Sequence, residues 1–193
     1  MKKVGLYFGT FNPIHKGHLS LANFFLNDTG LEEIWFVVSP QNPLKKESDF
    51  LNSKQRLELV NLVLEDHPKL KSCELEFDLP TPSYTSTTLG KLKEIHPHLA
   101  FVLLMGQDNI ADFEKWRDFE KILSENEIYV YPRKDSNPVP ERFNSHPNIQ
   151  FYNAPLMEIS SSEIRELVHV RKNVQMLLPT KAFSFLEKFL FNI

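Results

Sequence analysis

The residues most suited to chemistry lie together near the N-terminus, at positions 9–18, which read GTFNPIHKGH. His15 and His18 are three residues apart and would share one face of a helix. Two imidazoles at such a place can donate hydrogen bonds to phosphate oxygens and can stabilise charge that grows in a transition state. Gly9 and Gly17 allow the backbone to approach a ligand closely. The segment therefore indicates a phosphate-binding turn.

Two other interpretations of the histidine pair stay open on residue types alone. The pair could bind a metal ion, although a zinc site needs further ligands, and no nearby Cys, His or Glu is obviously spaced to supply them. The histidines could also lie on the surface of a helix that happens to begin there. The segment matches neither of two common phosphate motifs, GxxxxGK[ST] and GxGxxG.

Short apolar runs alternate with amphipathic stretches along the chain. The runs predict strands at 4–8, 34–38, 99–105 and 128–131, with a further strand at 70–77. The amphipathic stretches predict helices at 15–27, 53–66, 84–95 and 179–191, the last packing through Phe183, Leu186 and either Phe189 or Leu190. This alternation is typical of α/β proteins with a doubly wound parallel sheet and helices on both faces.

In such a fold, residues 9–18 follow the first strand and lie at the carboxyl edge of the sheet, where ligands bind. Long loops are expected at 39–51 and 132–147, which are rich in proline and asparagine. The sequence contains no internal repeat. We expect a single domain over residues 1–193, with a C-terminal helical part from about residue 160.

The composition is that of an ordinary soluble globular protein, with 41% hydrophobic and 24% charged residues. A net charge of -3 argues against broad nucleic-acid binding, which needs a basic excess. The single cysteine, Cys73, is expected to be a small core side chain rather than a nucleophile. No uncharged apolar run approaches the length needed to span a bilayer. We expect a cytoplasmic protein without a membrane partner.

A second segment with chemical potential lies at residues 159–165, which read ISSSEIR. Ser160 and Glu163 have the spacing of a capping box, so a helix is expected to begin there. Serine hydroxyls and free N–H groups at a helix start can hold phosphate, and Arg165, one turn further on, adds a fixed positive fork. Alone, the segment would indicate no more than a capped surface helix.

Together the two segments resemble the nucleotidyltransferase superfamily of adenylyl- and cytidylyltransferases. The HxGH sequence after a GTFxP turn resembles the superfamily signature, and ISSSEIR resembles its C-terminal ISSTxIR element. The resemblance implies a Rossmann-like fold and a set of ATP-binding residues. These residues would be Gly9, Thr10, Phe11, Gly17, Gly106, Asp108, Ile159, Ser160, Ser161 and Ser162.

The middle of the chain resembles the nicotinate mononucleotide adenylyltransferases within that superfamily. Residues 84–89 read YTSTTL, similar to the family's YTxxTL, and residues 105–116 resemble its LGxDxxxxFxxW. The resemblance implies that Trp116 stacks on the pyridine ring, that Tyr84 and Thr85 bind the nicotinate carboxylate, and that Asp108 contacts ribose. Trp116 could otherwise pack on the core, and Asp108 could cap a helix.

The chain departs from the family pattern at several positions. Asn12 replaces the usual aspartate, which removes a negative charge beside the proposed phosphates. The lysine loop reads NPLKK, so either Lys45 or Lys46 would contact phosphate. Arg133 only partly fits the family's RPG segment.

The resemblance implies direct transfer of AMP from ATP to nicotinate mononucleotide, with His15, His18, Lys45 and Arg165 as the catalytic residues and Mg²⁺ held mainly through the ATP phosphates. Nicotinamide mononucleotide or phosphopantetheine are alternative acceptors, and a catalytically silent nucleotide-binding module is a further alternative. A homo-oligomer is left open.

Overall fold

The computed structural model describes residues 1–41, 50–134, 136–156 and 158–190. Its strands are β1 (Lys2–Gly9), β2 (Glu33–Val38), β3 (Leu70–Cys73), β4 (Leu99–Gly106), β5 (Glu127–Tyr131) and β6 (Ile149–Phe151). Its helices are α1 (Lys16–Asp28), α2 (Ser53–Leu64), α3 (Thr85–Ile95), α4 (Gln107–Ala111), α5 (Phe119–Glu125), α6 (Glu141–Asn144), α7 (Ser161–His169) and α8 (Thr180–Leu190). Short 3₁₀ turns lie at Leu75–Phe77, Phe113–Lys115 and Gln175–Leu177.

The strands form one parallel sheet in the order β3-β2-β1-β4-β5-β6. The strand order reverses between β1 and β4, and a crevice opens beyond the carboxyl ends of strands at such a point. Gly9 pairs with Val38 and Gly106 pairs with Tyr131, so the ends of the four central strands meet at one edge. The predicted doubly wound α/β fold is confirmed.

The sheet is buried on both faces, which explains why its strands read as continuous apolar runs. On β2, Phe36 packs into the α1-side core, which α1, α2, α7 and α8 cover, while its neighbour Val37 packs into the α3-side core under α3, α4 and α5. Both side chains are fully buried. The two cores place different helices on opposite faces of the same sheet edge.

Most predicted elements are confirmed with small shifts at their ends, but the strand predicted at 70–77 is wrong beyond Cys73. There the chain enters the 3₁₀ turn Leu75–Phe77. Cys73 pairs with Val37, one residue before β2 ends, so β3 has little neighbouring strand left to pair with. Cys73 itself is buried, as expected, and burial raises the pKa of its thiol.

Other differences concern short elements. The loop predicted at 132–147 contains α6, and β6, α4 and α5 were not predicted. These elements are too short to show a hydrophobic period. In α8, Leu186 is buried and Phe183 packs on the α1-side core as predicted, and Phe185 is also buried there. The side chains of Phe189 and Leu190 lie outside the described residues. Within the described ranges, no helix is long and apolar enough to cross a membrane.

Candidate active site

A cavity of about 860 Å³ opens at the carboxyl edge of the sheet, over the point where the strand order reverses. The loops after β1, β2 and β5 line it, together with α4 and the first turns of α2 and α7. Its lining includes Arg56, Arg133 and Arg165 beside His15 and His18. Such a concentration of cationic and hydrogen-bonding groups suits a ligand that carries several phosphates.

The loop after β1 is tightly folded. Phe11 lies in the left-handed region with φ of 46°, a conformation that costs a non-glycine residue about 1–3 kcal/mol. Its ring is 2% exposed and packs 5.2 Å from Phe36 and 5.1 Å from His18, measured between ring centroids. A Cβ on Gly9 would lie 2.9 Å from this ring, so Gly9 is required for the ring to fit under the loop. The buried ring fixes the loop that leads to the histidines.

His15 and His18 stack on each other with ring centroids 3.6 Å apart. His15 is the N-cap residue of α1, and its backbone N–H donates to Nδ1 of His18 over 3.2 Å. A ring nitrogen that accepts a hydrogen bond carries no proton, so the ring proton of His18 lies on Nε2. His18 lines the cavity, and in this tautomer Nε2–H is the hydrogen-bond donor of its ring.

His15 is held in its neutral form. Burial, together with the smaller effect of the positive charge of Arg133, lowers the pKa of its imidazole from 6.5 to about 3. Its side chain is 3% exposed, and its Nδ1 has no hydrogen-bond partner among the described residues. A buried polar atom without a partner at a cavity wall marks a place where a ligand can supply the missing contact.

The two sequence motifs meet at the start of α7. Ser160 caps this helix by accepting a hydrogen bond from the Glu163 N–H over 3.1 Å, as the predicted capping spacing requires. Arg165 donates to the Asn12 carbonyl over 2.8 Å, and Ser161 Oγ donates to the Pro13 carbonyl over 2.9 Å. These bonds join segments about 150 residues apart and place the α7 start beside the histidine loop.

The ends of β4 and β5 form a third wall. Gly106 is the N-cap of α4 and Asp108 lies in its first turn, so Asp108 is not the capping residue. The Asp108 carboxylate lies 3.7 Å from Arg133 Nε. A Cβ on Gly106 would meet both Asp108 and Arg133, so the glycine makes room for this pair. Arg133, which only partly fits the family's RPG segment, therefore lines the cavity.

Arg56 on α2 is a lining residue that sequence reasoning missed. It is 5% exposed and donates to the carbonyls of Thr10, Ser39 and Pro40 at 2.6 to 2.7 Å. The sequence does contain a pattern that could have indicated a buried arginine. Arg56 shares one helix face, at i, i+3, i+4 and i+7 spacing, with the apolar residues Leu59, Val60 and Val63. A charged residue in an apolar stripe is an exception that needs a partner.

Sequence comparisons with known proteins agree on the family to which this chain is related. Residues 6–167 match the family model described as cytidylyltransferase-like. A Flavobacterium psychrophilum protein named "Probable nicotinate-nucleotide adenylyltransferase" is 48% identical, with 96% of each chain covered. A Flavobacterium johnsoniae protein of the same name is 49% identical over the same share of both chains. The chain belongs to the nicotinate-nucleotide adenylyltransferase family.

The fold agrees with this family. The nicotinic acid mononucleotide adenylyltransferase of Plasmodium falciparum, solved in complex with NaAD, superposes with a TM-score of 0.82. The alignment covers 98% of this chain and 96% of that one at 22% sequence identity, so it carries the fold alone. The family resemblance inferred from the HxGH and ISSSEIR segments is confirmed.

The structure brings most of the predicted ATP-binding residues, and the predicted catalytic residues His15, His18 and Arg165, into the cavity. Those that line it are Gly9, Thr10, Phe11, His15, His18, Asp108, Ser160, Ser161, Ser162 and Arg165. Gly17 is buried in the first turn of α1, Gly106 supports the Asp108 corner, and Ile159 packs on the α1-side core. Lys45 and Lys46 lie outside the described residues.

The residues predicted to bind the acceptor lie outside the cavity lining, on the sheet face that carries the α3-side core. Tyr84 is the N-cap of α3, Thr85 begins that helix, and the Arg117 guanidinium carbon lies 4.9 Å from the Tyr84 ring centroid. Trp116 packs beside Phe113 with ring centroids 5.5 Å apart. Its Nε1 is buried and has no hydrogen-bond partner within the described ranges.

A hydrogen bond between described residues connects the start of α3 to the cavity. The Ser83 N–H donates to the carbonyl of Gln41 over 3.2 Å, and Gln41 lines the cavity. Ser83 directly precedes Tyr84, so the start of α3 is attached to the cavity rim.

Proposed function

We propose that this chain is an adenylyltransferase that transfers AMP from ATP to nicotinate mononucleotide and releases pyrophosphate. The product is deamido-NAD, and the reaction belongs to NAD biosynthesis in the cytoplasm. The observation that carries the proposal is the meeting of the HxGH loop and the ISSSEIR helix start in one cationic cavity at the reversal of strand order. The names of relatives with 48% and 49% identity support the same reaction.

The proposed chemistry is an in-line displacement at the α-phosphorus of ATP. An oxygen of the acceptor's phosphate forms the new P–O bond while the bond from the α-phosphorus to the bridging α,β-oxygen breaks. Because the second pKa of a phosphate monoester is about 6, the attacking oxygen is already ionised at neutral pH and needs no general base. The protein's task is to align two polyanions and to stabilise the charge on the α-phosphate and the leaving pyrophosphate.

The cavity residues are assigned to this electrostatic task. His18 donates through Nε2–H, and neutral His15 stacks behind it with a buried nitrogen that has no partner among the described residues. Arg165 holds the loop through Asn12 and adds a fixed positive charge. Lys45, which lies outside the described residues, remains a catalytic residue in the proposal.

The lining suits a magnesium ion that arrives with the nucleotide. Among the described residues, no group of three or more His, Cys, Asp or Glu side chains is arranged to hold a metal. The lining is instead rich in cations, with Asp108 as a carboxylate already beside Arg133. Mg²⁺ commonly binds through substrate phosphates with few protein ligands, and there it neutralises phosphate charge. The protein's part is to bind and orient the phosphates that carry the ion.

The acceptor's ring is assigned to the start of α3 and to Trp116. The free N–H groups at the start of a helix favour an anion, so a nicotinate carboxylate suits the position of Tyr84 and Thr85. The Trp116 ring offers a flat apolar face to a pyridine. The attachment of Ser83 to Gln41 places this region next to the ATP cavity.

Pyrophosphate release by the purified protein tests the proposal. Mg-ATP is combined in parallel with nicotinate mononucleotide, nicotinamide mononucleotide or phosphopantetheine. We expect fast release with nicotinate mononucleotide and much slower release with the others. Faster release with another acceptor would overturn the assigned substrate. Binding of ATP without release from any acceptor would point to a binding module.

A further inference from the structure

Arg56 joins two loops that meet at the cavity. The loop after β1 contributes the carbonyl of Thr10, and the loop after β2 contributes the carbonyls of Ser39 and Pro40. One guanidinium nitrogen, Nη1, donates to both Thr10 and Ser39, and the other, Nη2, donates to Pro40. The planar fork of arginine can hold several acceptors in fixed directions, which a lysine ammonium cannot do.

These bonds to carbonyl oxygens also fix the direction of the backbone N–H groups in the same peptides. In a trans peptide the N–H and C=O point in opposite directions. When Arg56 holds the Thr10 carbonyl, it therefore also fixes the direction of the Phe11 N–H. The same argument applies to Pro40 and the N–H of Gln41.

The Phe11 backbone needs such support. Its left-handed conformation is unfavourable for a residue with a side chain and persists only where the surroundings enforce it. Inside the loop, the buried ring holds the conformation. From outside, the Ser39 N–H holds the Gly9 carbonyl over 2.9 Å, and Arg56 holds the Thr10 carbonyl. Arg56 thus fixes the strained peptide from α2, an element that neither sequence motif includes.

We propose that Arg56 is a positioning residue for ATP. It holds the loop after β1 in the conformation in which the backbone of Thr10 and Phe11 meets the nucleotide phosphates, and it holds that loop in register with the loop after β2. The inference rests on the proposed function for the identity of the nucleotide. It predicts that changes at Arg56 alter the binding and reaction of ATP more strongly than the binding of the acceptor, whose region is joined to Arg56 through Pro40 and the Gln41 carbonyl.

The test compares Arg56→Lys and Arg56→Ala with the wild type. Lys54→Ala is the matched control, because Lys54 is an exposed cation on the same helix and does not line the cavity. Each protein is assayed for thermal unfolding, for calorimetric affinity for a non-hydrolysable ATP analogue without acceptor, and for kcat and the two KM values. Arg56→Ala is also assayed with millimolar guanidinium chloride, with sodium chloride at the same concentration as the salt control.

We expect Arg56→Lys to lower kcat by about 10²-fold, the size of effect that a small misplacement of reacting groups can produce. The affinity for the analogue should weaken by more than KM for nicotinate mononucleotide rises. Guanidinium should restore part of the activity of Arg56→Ala, whereas sodium chloride should not. A residue that supported only the fold would lower the unfolding temperature without this division between ATP and acceptor.

The inference would be overturned if Arg56→Lys kept the wild-type affinity for the analogue and the wild-type kcat. Equal weakening of the affinity for ATP and the affinity for the acceptor would also overturn it. If Arg56→Ala does not fold, the affinity of Arg56→Lys for the analogue alone tests the positioning role. If the wild type releases no pyrophosphate with nicotinate mononucleotide, the proposed function fails. The positioning role is then still decided by the analogue affinities, which need no acceptor.

Discussion

The two halves of the candidate site differ in how the fold holds them. The phosphate half consists of the loop after β1, the histidine pair and the start of α7, and buried contacts join these parts across about 150 residues of sequence. The acceptor half consists of Tyr84, Thr85 and Trp116, which lie outside the cavity lining. These contacts thus hold the parts of the phosphate half together, whereas the proposed acceptor half adjoins it through the bond between Ser83 and Gln41.

The halves also rest on opposite faces of the sheet. Phe11 and Ile164 of the phosphate half belong to the α1-side core, while Leu89 and Phe113, beneath the acceptor half, belong to the α3-side core. Changes at separated sites without shared partners usually have independent effects. The two substrates should therefore respond separately to mutation, and the kinetic predictions below test that separation.

The largest expected effect follows from removing the donor at the centre of the phosphate half. His18→Ala should lower kcat by about 10²–10³-fold, since this is the typical cost of losing one positioned donor. The loss should be the same with every acceptor that the enzyme accepts. Steady-state pyrophosphate release measures it, and thermal unfolding checks that the fold persists. His98→Ala, at an exposed histidine, is the control. Near-normal turnover in His18→Ala would contradict the assignment.

The buried His15 predicts a pH dependence of stability in the ligand-free protein. Its folded pKa of about 3 lies below its ordinary value of 6.5, so between these pH values the unfolded state binds a proton that the folded state does not. Lowering the pH through this window should destabilise the fold, by at most about 1.4 kcal/mol per pH unit from this residue. Above about pH 7 the contribution should be constant.

Urea unfolding of the wild type and His15→Gln between pH 4.5 and 7.5 measures this contribution as the difference between the two slopes. The wild type should lose stability more steeply on acidification. Parallel slopes would show that His15 is not buried in its neutral form and that the phosphate half is less closed than the geometry indicates.

The same comparison explains what the sequence could predict. The two segments of the phosphate half could be found from local patterns, because the HxGH loop comes directly after the first strand and Ser160 begins a helix at a recognisable capping spacing. Their resemblance to the superfamily motifs was needed to pair them in one site. The parallel sheet follows from alternating apolar and amphipathic stretches. These features depend on residues close together in the chain, so the sequence suffices to find them.

Features that depend on contacts between distant segments could not be predicted in the same way. Arg56 is linked to Thr10 across 46 positions of sequence, and only the fold shows that its partners are backbone carbonyls. β6 has three residues, of which two are exposed, and therefore has no detectable period. The position of Trp116 outside the cavity lining depends on the turn between α4 and α5.

An intermediate effect is expected at Thr88 beneath the acceptor half. Its hydroxyl donates to the Glu76 carboxylate over 2.8 Å, and both residues are at most 1% exposed. Thr88→Val would leave a buried carboxylate oxygen without its donor, at a cost of about 1–3 kcal/mol in the free energy of unfolding. The same hydroxyl also lies 3.2 Å from the Tyr84 carbonyl oxygen, within hydrogen-bonding distance, so its removal should shift the start of α3.

We expect KM for nicotinate mononucleotide to rise roughly tenfold in Thr88→Val, which corresponds to about 1.4 kcal/mol, while KM for ATP stays unchanged. Thr87→Val makes the same substitution at the exposed neighbouring position and should leave both KM values as in the wild type. Equal increases in the two KM values would contradict the prediction that the two halves respond independently to mutation.

The smallest predicted effect concerns Trp116. Loss of one aromatic contact is worth about 0.5–1.5 kcal/mol, so Trp116→Ala should raise KM for nicotinate mononucleotide by about 2- to 12-fold without changing KM for ATP. Trp116→Phe, which keeps an aromatic face, should retain most of the affinity. The chain has two tryptophans, so a Trp35→Phe background leaves Trp116 as the single fluorescent reporter. There, nicotinate mononucleotide should quench the emission, because a ring stacked on the indole is in direct contact with it. An unchanged emission at saturating acceptor, together with a wild-type KM in Trp116→Ala, would remove Trp116 from the acceptor half and leave the start of α3 as the part that recognises the acceptor.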